Sequence, residues 1–387
     1  MRIPTVLLSL PLIAAASCGS AQSGDSPSAS ASTPAPTETK GPFAVAYLGT
    51  FAEPWALAVE PGKNRVFVTE KAGTMKVVDP ATGQSAPVNG MPEVSYGGQG
   101  GLHDVAFAPD YASSGTIYLS WVKQDAEGNR YGAVGRGKLA CEQLGACAVE
   151  GLNEIWRQNQ ALKSFGHYSL RLAFAPDGKH LFVSSGEQTK ADPAQDMSAN
   201  LGKVVRLNLD GTPAAGNPFA GQAGVSPDIW SYGHRNLLGL AFDADGKLWD
   251  IEHGPAGGDE INLIVPGVNY GWPVVSNGDN YNGTPIPRHS TRPEFRAPAI
   301  SWNPVIAPGG MIFYSGKLWP EWKGNAIITG LRTESLVRVG LADEKGTEEA
   351  RHEMGKRLRG IAEAPDGAIY VAEDGEGGRL LRLTPAS

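Results

Sequence analysis

The sequence predicts an all-β fold, a six-bladed β-propeller, from three observations. A short aliphatic strand, a Pro/Asp/Gly turn and an alternating strand recur six times along the chain. Several of the turns carry Asp-Gly, which supports the positive backbone angles of tight hairpins. No long segment sustains a helical period. Repeated hairpins at such spacing suit propeller blades of roughly four strands each. A pair of β-sandwiches is the competing architecture.

In chain order, the first element is an export signal over residues 1–18. Met1-Arg2 supply a positive start, and residues 6–16 are apolar but too short to span a bilayer. Ala15-Ala16-Ser17 then precede Cys18, a lipobox-like arrangement. The expectation is an exported, periplasmic lipoprotein anchored to the membrane through Cys18. Cleavage near Ala21, giving a soluble exported protein, is the alternative. Residues 19–42 hold almost nothing that fills a core and read as a disordered tether.

Residues 43–387 are expected to form the propeller and to carry catalysis. The repeats are ALAVEPGKNRVFVTE, DVAFAPDYASSGTIYLSWV, RLAFAPDGKHLFVSSG, GLAFDADGKLWDIEHG, a degenerate GMIFYSG, and GIAEAPDGAIYVAEDG. Aligned on Ala58, Ala106, Ala173, Ala241, Ile312 and Ala362, they step by 48, 67, 68, 71 and 50 residues. The uneven steps place insertions on loops, where a site can be built. Residues 43–48 are expected to pair with residues 380–383 and close the ring.

The chain carries 33 basic against 40 acidic residues, a net charge of −7, which argues against nucleic acid as a partner. Cys141 and Cys147 stand close together, and in an oxidising compartment a local disulfide is expected.

Several segments are too polar and too particular for plain blades. His167, at a strand entrance, is a candidate general base, because an unperturbed imidazole titrates near working pH; a turn-satisfying histidine is the competing reading. Arg235 brings a permanent charge and a forked donor set suited to carboxylate or quinone oxygens, and Asn236 adds an amide. An Arg–carboxylate bridge between blades would explain the same residues. Residues 252–262 (EHGPAGGDEIN) cluster acids and carbonyls, the ligands of a hard cation such as Ca²⁺, without the spacing of an EF-hand or a zinc site. Arg357 and Arg359 lie two apart, so on a strand they share a face. Turned inward, that pair must meet an anion. Arg332 is a further cation nearby in sequence. Gln99, within the glycine run 97–101, is a candidate pocket contact, and that run is not placed as a phosphate loop. Trp272, Trp302, Trp319 and Trp322 read as blade packing ahead of a sugar platform.

With these residues in place, the sequence resembles the soluble PQQ-dependent sugar dehydrogenases, the glucose/sorbosone dehydrogenase-like group that includes bacterial aldose sugar dehydrogenases. The matching runs are GGQGGLHDVAFAPDY, HYSLRLAFAPDG, AQDMSANLGKVVRLNLDGT, IWSYGHRN, EHGPAGGDEINLI with the following PG and NYGWP, WNPVIAPGG and RLRGIAEAPDG. They keep the family's order and span about residues 43–384. The resemblance implies a six-bladed propeller binding pyrroloquinoline quinone (PQQ) and Ca²⁺. It puts His167 at the catalytic base, Arg235 beside the reacting quinone carbonyl and Asn236 near it. It makes the carbonyls of Gly254 and Pro255 Ca²⁺ ligands. Arg357 and Arg359 would hold cofactor carboxylates, Arg332 would stand where glucose-oxidising members have lysine, and Gln99 would face the sugar.

Two departures bear on substrate. Leu237-Leu238 replace a Pro-Gln pair, which removes one polar cofactor contact, and Gly166 stands where the glucose oxidisers carry an acid. The aldose-type branch is the nearer match. The implied reaction oxidises an aldose at its anomeric carbon to a lactone, with electrons passing to an exported acceptor. The competing functions are a non-catalytic carbohydrate-binding propeller, which would lose the cationic pocket, and a calcium-dependent lactonase, which leaves the arginine pair unexplained.

Overall fold

The first strand of each repeat is short, aliphatic and largely buried. These strands are Pro54–Val59, Leu102–Phe107, Ser169–Phe174, Leu237–Phe242, Pro308–Phe313 and Leu358–Glu363 in a computed structural model that describes residues 38–386. Each touches the next, and the last touches the first, so the six make a closed cycle. The export signal, Cys18 and the tether up to residue 37 lie outside the described residues.

From each inner strand the chain runs outward through antiparallel partners. Three sheets have four strands each, and an eight-stranded sheet is two four-strand runs joined where Cys147 and Ala148 pair in parallel with Val88 and Asn89. In the remaining sheet Phe43–Ala52 pairs with Glu376–Pro385 at the other end of the chain to complete four strands, and Glu38–Lys40 adds a fifth at the edge. The expected closure is therefore present and extends beyond residue 48. Among the described residues, helix is confined to the four-residue Tyr111–Ser114 and three 3₁₀ turns, as the missing helical period requires.

The strand Glu38–Lys40 falls inside the stretch read as tether. It folds back on residues 43–45, the Tyr47 hydroxyl donates to Glu38, and Lys40 Nζ donates to the Met354 carbonyl at 2.7 Å. The Met354 carbonyl lies far away in sequence, so composition alone does not reveal this anchor.

Apolar clusters fill the spaces between sheets. Trp319 and Trp322 stack at 4.8 Å and meet Phe43 edge-on, and Trp302 packs in a separate cluster with Trp249 and Ile261. Burying side chains of this size contributes about 2–3 kcal/mol each. Cys141 and Cys147 form the expected disulfide, tying Arg130–Cys141 to Cys147–Arg157.

Leu57, Asp104, Arg171, Leu238, Gly310 and Ile361, one from each inner strand, line an axial cavity of 150 Å³. Arg171 crosses this axis. Its Nε donates to the Leu238 carbonyl at 2.8 Å and its Nη2 to the Gly309 carbonyl at 2.7 Å, while Nη1 lies 3.5 Å from Asp104. One guanidinium thus bridges four of the six inner strands.

Candidate active site

His167, Ser169 and Leu170 all have left-handed backbone angles, with φ of 54°, 60° and 67°. Such residues cost about 1–3 kcal/mol each, so the surroundings must enforce them. Gln99 Oε1 accepts the His167 amide at 2.7 Å, and the Gln188 amide donates to the His167 carbonyl at 3.0 Å. The Leu237 amide donates to Ser169 Oγ at 2.8 Å.

This turn sets the imidazole against an acid. His167 Nδ1 lies 2.6 Å from Oε1 of the buried Glu187, whose Oε2 accepts the amides of Lys190 and Ala191 at 2.5 and 2.9 Å. A carboxylate can only accept, so Nδ1 carries the proton and Nε2 keeps its lone pair. The His167 side chain is 14% exposed, and Nε2 makes no hydrogen bond to the described residues.

The same acid segment reaches the next sheet. The Glu187 amide donates to the Arg235 carbonyl at 3.1 Å, and Ser169 Oγ lies 3.3 Å from Asn236 Oδ1. Arg235 Nη1 donates to the His253 carbonyl at 3.3 Å and Nη2 to the Tyr281 hydroxyl at 3.2 Å, with the guanidinium 5.2 Å from the centre of the Trp272 ring. Arg235 Nε and Asn236 Nδ2 are buried donors with no acceptor among the described residues. Burial pushes the His253 imidazole down to about 3 against the pull of the Pro308 carbonyl, so it stays neutral beside Arg235.

Gly254 and Pro255 lie on a tight turn closed by Asp259. Its carboxylate accepts the amides of Gly254 at 2.9 Å and Ala307 at 2.6 Å. Burial raises the Asp259 pKa to about 6, although both amides favour its ionised form. A Cβ on Gly254 would come within 2.2 Å of the Gly257 carbonyl oxygen, so only glycine fits. Neither the Gly254 nor the Pro255 carbonyl accepts a hydrogen bond among the described residues.

Gly254, Pro255, Tyr281, Arg332 and Arg357 line one cavity of 430 Å³. Arg359 does not line it. It is 9% exposed, lies 4.0 Å over the Trp55 ring, and pairs with Asp374. Arg357 Nε lies 2.9 Å from the other oxygen of Asp374. Arg357 and Arg359 therefore share a side, as their spacing predicts, but the anion between them is the protein's own. Burial works to raise Asp374, and the two guanidiniums outweigh it and hold its carboxyl below the ordinary value.

A second set of acids lies behind Arg235. His234, Asp250 and Glu252 place ligand-type atoms within 4.8 Å of one another. Burial, then Glu252 and Glu260, pushes Asp250 well above the usual carboxylate range, and burial and Glu252 do the same to Glu260.

Sequence reading missed Glu187, Asp374 and Tyr281, and it placed Trp272 with the packing tryptophans although it faces Arg235. Strand register was the available signal for two of them. Ser169 pairs with Ser185, which puts Glu187 opposite His167, and Leu358 pairs with Glu373, which puts Asp374 beside both arginines. Gln99, expected to face a sugar, has its side-chain oxygen engaged with the His167 backbone.

The family described as Glucose / Sorbosone dehydrogenase matches residues 51–382. The chain is 37% identical over 340 residues to the aldose sugar dehydrogenase YliI of Escherichia coli, covering 86% of this chain and 90% of that one. A crystal structure of the soluble aldose sugar dehydrogenase from E. coli in the apo-form superposes with a TM-score of 0.82 at 36% identity, covering 89% of this chain and all of that one. The PQQ-bound form of aldose sugar dehydrogenase from Streptomyces coelicolor gives 0.71 at 29% identity, over 88% and 98% of the two chains. On sequence and fold, the chain belongs to the glucose/sorbosone dehydrogenase family.

Proposed function

We propose that this protein is a PQQ- and Ca²⁺-dependent sugar dehydrogenase that oxidises aldoses at the anomeric carbon to lactones. The reading includes a six-bladed propeller, for which the closed cycle of six inner strands is the support. It includes export to the periplasm with a lipid anchor at Cys18, for which the N-terminal apolar stretch and the Cys141–Cys147 disulfide are the support. Electrons pass to an exported acceptor.

The observation that carries the function is the pairing of a held imidazole with unpartnered buried donors. His167 is fixed by Glu187, and the adjoining Arg235 Nε and Asn236 Nδ2 lack acceptors among the described residues. Buried donors are costly to leave unmade, so a ligand oxygen belongs there. The donor set fits the cofactor. Arg332 and Arg357 at the cavity, with Arg359 behind, suit its carboxylates. The carbonyls of Gly254 and Pro255 suit Ca²⁺.

PQQ, when bound, supplies the two-electron acceptor that no side chain offers. The protein's own groups do the rest. His167 Nε2 takes the proton from the anomeric hydroxyl, and Glu187 balances the resulting imidazolium. Arg235 holds a fixed positive charge where negative charge grows, with no reorganisation needed. The neutral His253 adds no competing charge beside it.

Dye reduction tests the reading. Purified protein with PQQ, Ca²⁺ and an aldose should reduce an artificial electron acceptor, and omission of PQQ should abolish the signal. Hydrolysis of a lactone without PQQ, and no dye reduction with it, would overturn the proposal.

A further inference from the structure

We propose that Gln158 is a positioning residue for the His167–Glu187 pair. Its side-chain amide clamps the strained segment that carries Glu187, and through Glu187 it sets the imidazole. The kinetic consequence rests on the sugar dehydrogenase reading; the clamp itself does not.

Gln158 follows directly on the strand Cys147–Arg157 and is 2% exposed. A glutamine side chain offers two donor hydrogens and two acceptor lone pairs, and here all four are used. Oε1 accepts the Gly132 amide and the Gln188 side-chain Nε2, both at 2.7 Å. Nε2 donates to Ser185 Oγ at 3.0 Å and to the Gly186 carbonyl at 3.2 Å. The Gln158 backbone amide also donates to the Gly132 carbonyl at 2.8 Å, which ties the clamp to the strand Arg130–Cys141. Its other three partners, Ser185, Gly186 and Gln188, flank Glu187 on both sides in sequence.

The clamped segment does not hold itself. Gln188, Thr189 and Ala191 have φ of 56°, 59° and 59°, a costly left-handed setting for residues other than glycine. Gln188 Oε1 is buried with no hydrogen-bond partner among the described residues, its Nε2 being turned to Gln158. A buried acceptor left unmade lowers stability. Costs of this kind persist only where the surroundings enforce them, and they gather at functional sites.

What they secure here is the base. A Cβ on Gly186 would come within 2.1 Å of the His167 carbonyl oxygen, so glycine permits this approach. The Gln188 amide donates to that same carbonyl at 3.0 Å. Between the two, Glu187 meets His167 Nδ1 at 2.6 Å, and its amide donates to the Arg235 carbonyl at 3.1 Å. Gln158 therefore fixes both flanks of the acid that orients the imidazole, without touching the imidazole. A reacting group displaced by about 1 Å loses about a hundredfold in rate, so this support bears on turnover.

The test uses two variants. Gln158→Met keeps the side-chain length and removes all four side-chain bonds. Gln188→Met removes one of them together with the unpartnered oxygen. Each is compared with wild type for oxidation of an aldose in the presence of PQQ and Ca²⁺. Without cofactor, each is compared for Tm and for the low-field NMR signal of the His167 Nδ1 proton, identified by its absence in His167→Gln. Gln158→Met should lower kcat about ten- to hundredfold and change KM by less than about twofold. Gln188→Met should lower kcat about three- to tenfold with no loss of Tm, since it also relieves a buried unpartnered acceptor. The Nδ1 signal should broaden or vanish in both. A folded variant with wild-type kcat, or with an Nδ1 signal as sharp as that of wild type, would overturn the clamp. If Gln158→Met does not fold, Gln188→Met decides by the same criteria. Wild-type protein that oxidises no aldose would overturn the dehydrogenase reading, and the cofactor-free NMR comparison would still decide the clamp.

Discussion

The carboxylate of Glu187 holds Nδ1 of His167 at 2.6 Å while its other oxygen is tied to two backbone amides. The acid therefore cannot follow the imidazole if it moves, and it fixes which ring nitrogen is basic. His167→Gln should lower turnover about 10²–10⁴-fold, the usual contribution of a positioned base. Glu187→Gln keeps the shape but lets the amide nitrogen face Nδ1, favouring the wrong tautomer. It should lower kcat by about tenfold or more with little change in KM, read by steady-state kinetics across pH.

Asp374 gives a prediction that needs no turnover. It neutralises part of the charge of Arg357 and the buried Arg359. Removing one partner from a buried charge set costs about 3–5 kcal/mol, so Asp374→Asn should lower the Tm of the cofactor-free protein. A polyanion binding those guanidiniums would then relieve more repulsion. The thermal shift produced by PQQ should be larger in Asp374→Asn than in wild type. An unchanged shift would separate the arginine pair from the cofactor.

His103 links pH to stability. It lies between the carbonyls of Ser169 at 3.1 Å and Gln99 at 2.8 Å, and burial pushes its pKa down to about 4 although both carbonyls favour the charged ring. The folded pKa is below the unfolded value of about 6.5, so the unfolded chain binds more protons between those limits. Stability from this group is therefore present above pH 6.5 and is lost as pH falls toward 4. His103→Gln should flatten the fall in Tm over that window relative to wild type. A wild-type curve of the same slope would contradict the assignment.

The all-β class and the ring closure were legible because both rest on local chemistry. Asp-Gly turns and alternating apolar residues write the hairpins, and residues 43–48 carry the pattern of a strand that stands apart from the six repeats. His167 and Arg235 stood out as candidates because their types are too polar for plain blade strands, whereas Gly254 and Pro255 were singled out by the family resemblance. Glu187 and Asp374 were not, since an acid beside a turn looks solvated until strand register brings it to its partner.

The most direct measurement is the visible spectrum of the protein titrated with PQQ and Ca²⁺, followed by an aldose. Wild type and His167→Gln should both take up the quinone in equal amounts, and only wild type should bleach rapidly on addition of sugar. Equal bleaching in both proteins, or no bound quinone in wild type, would contradict the account.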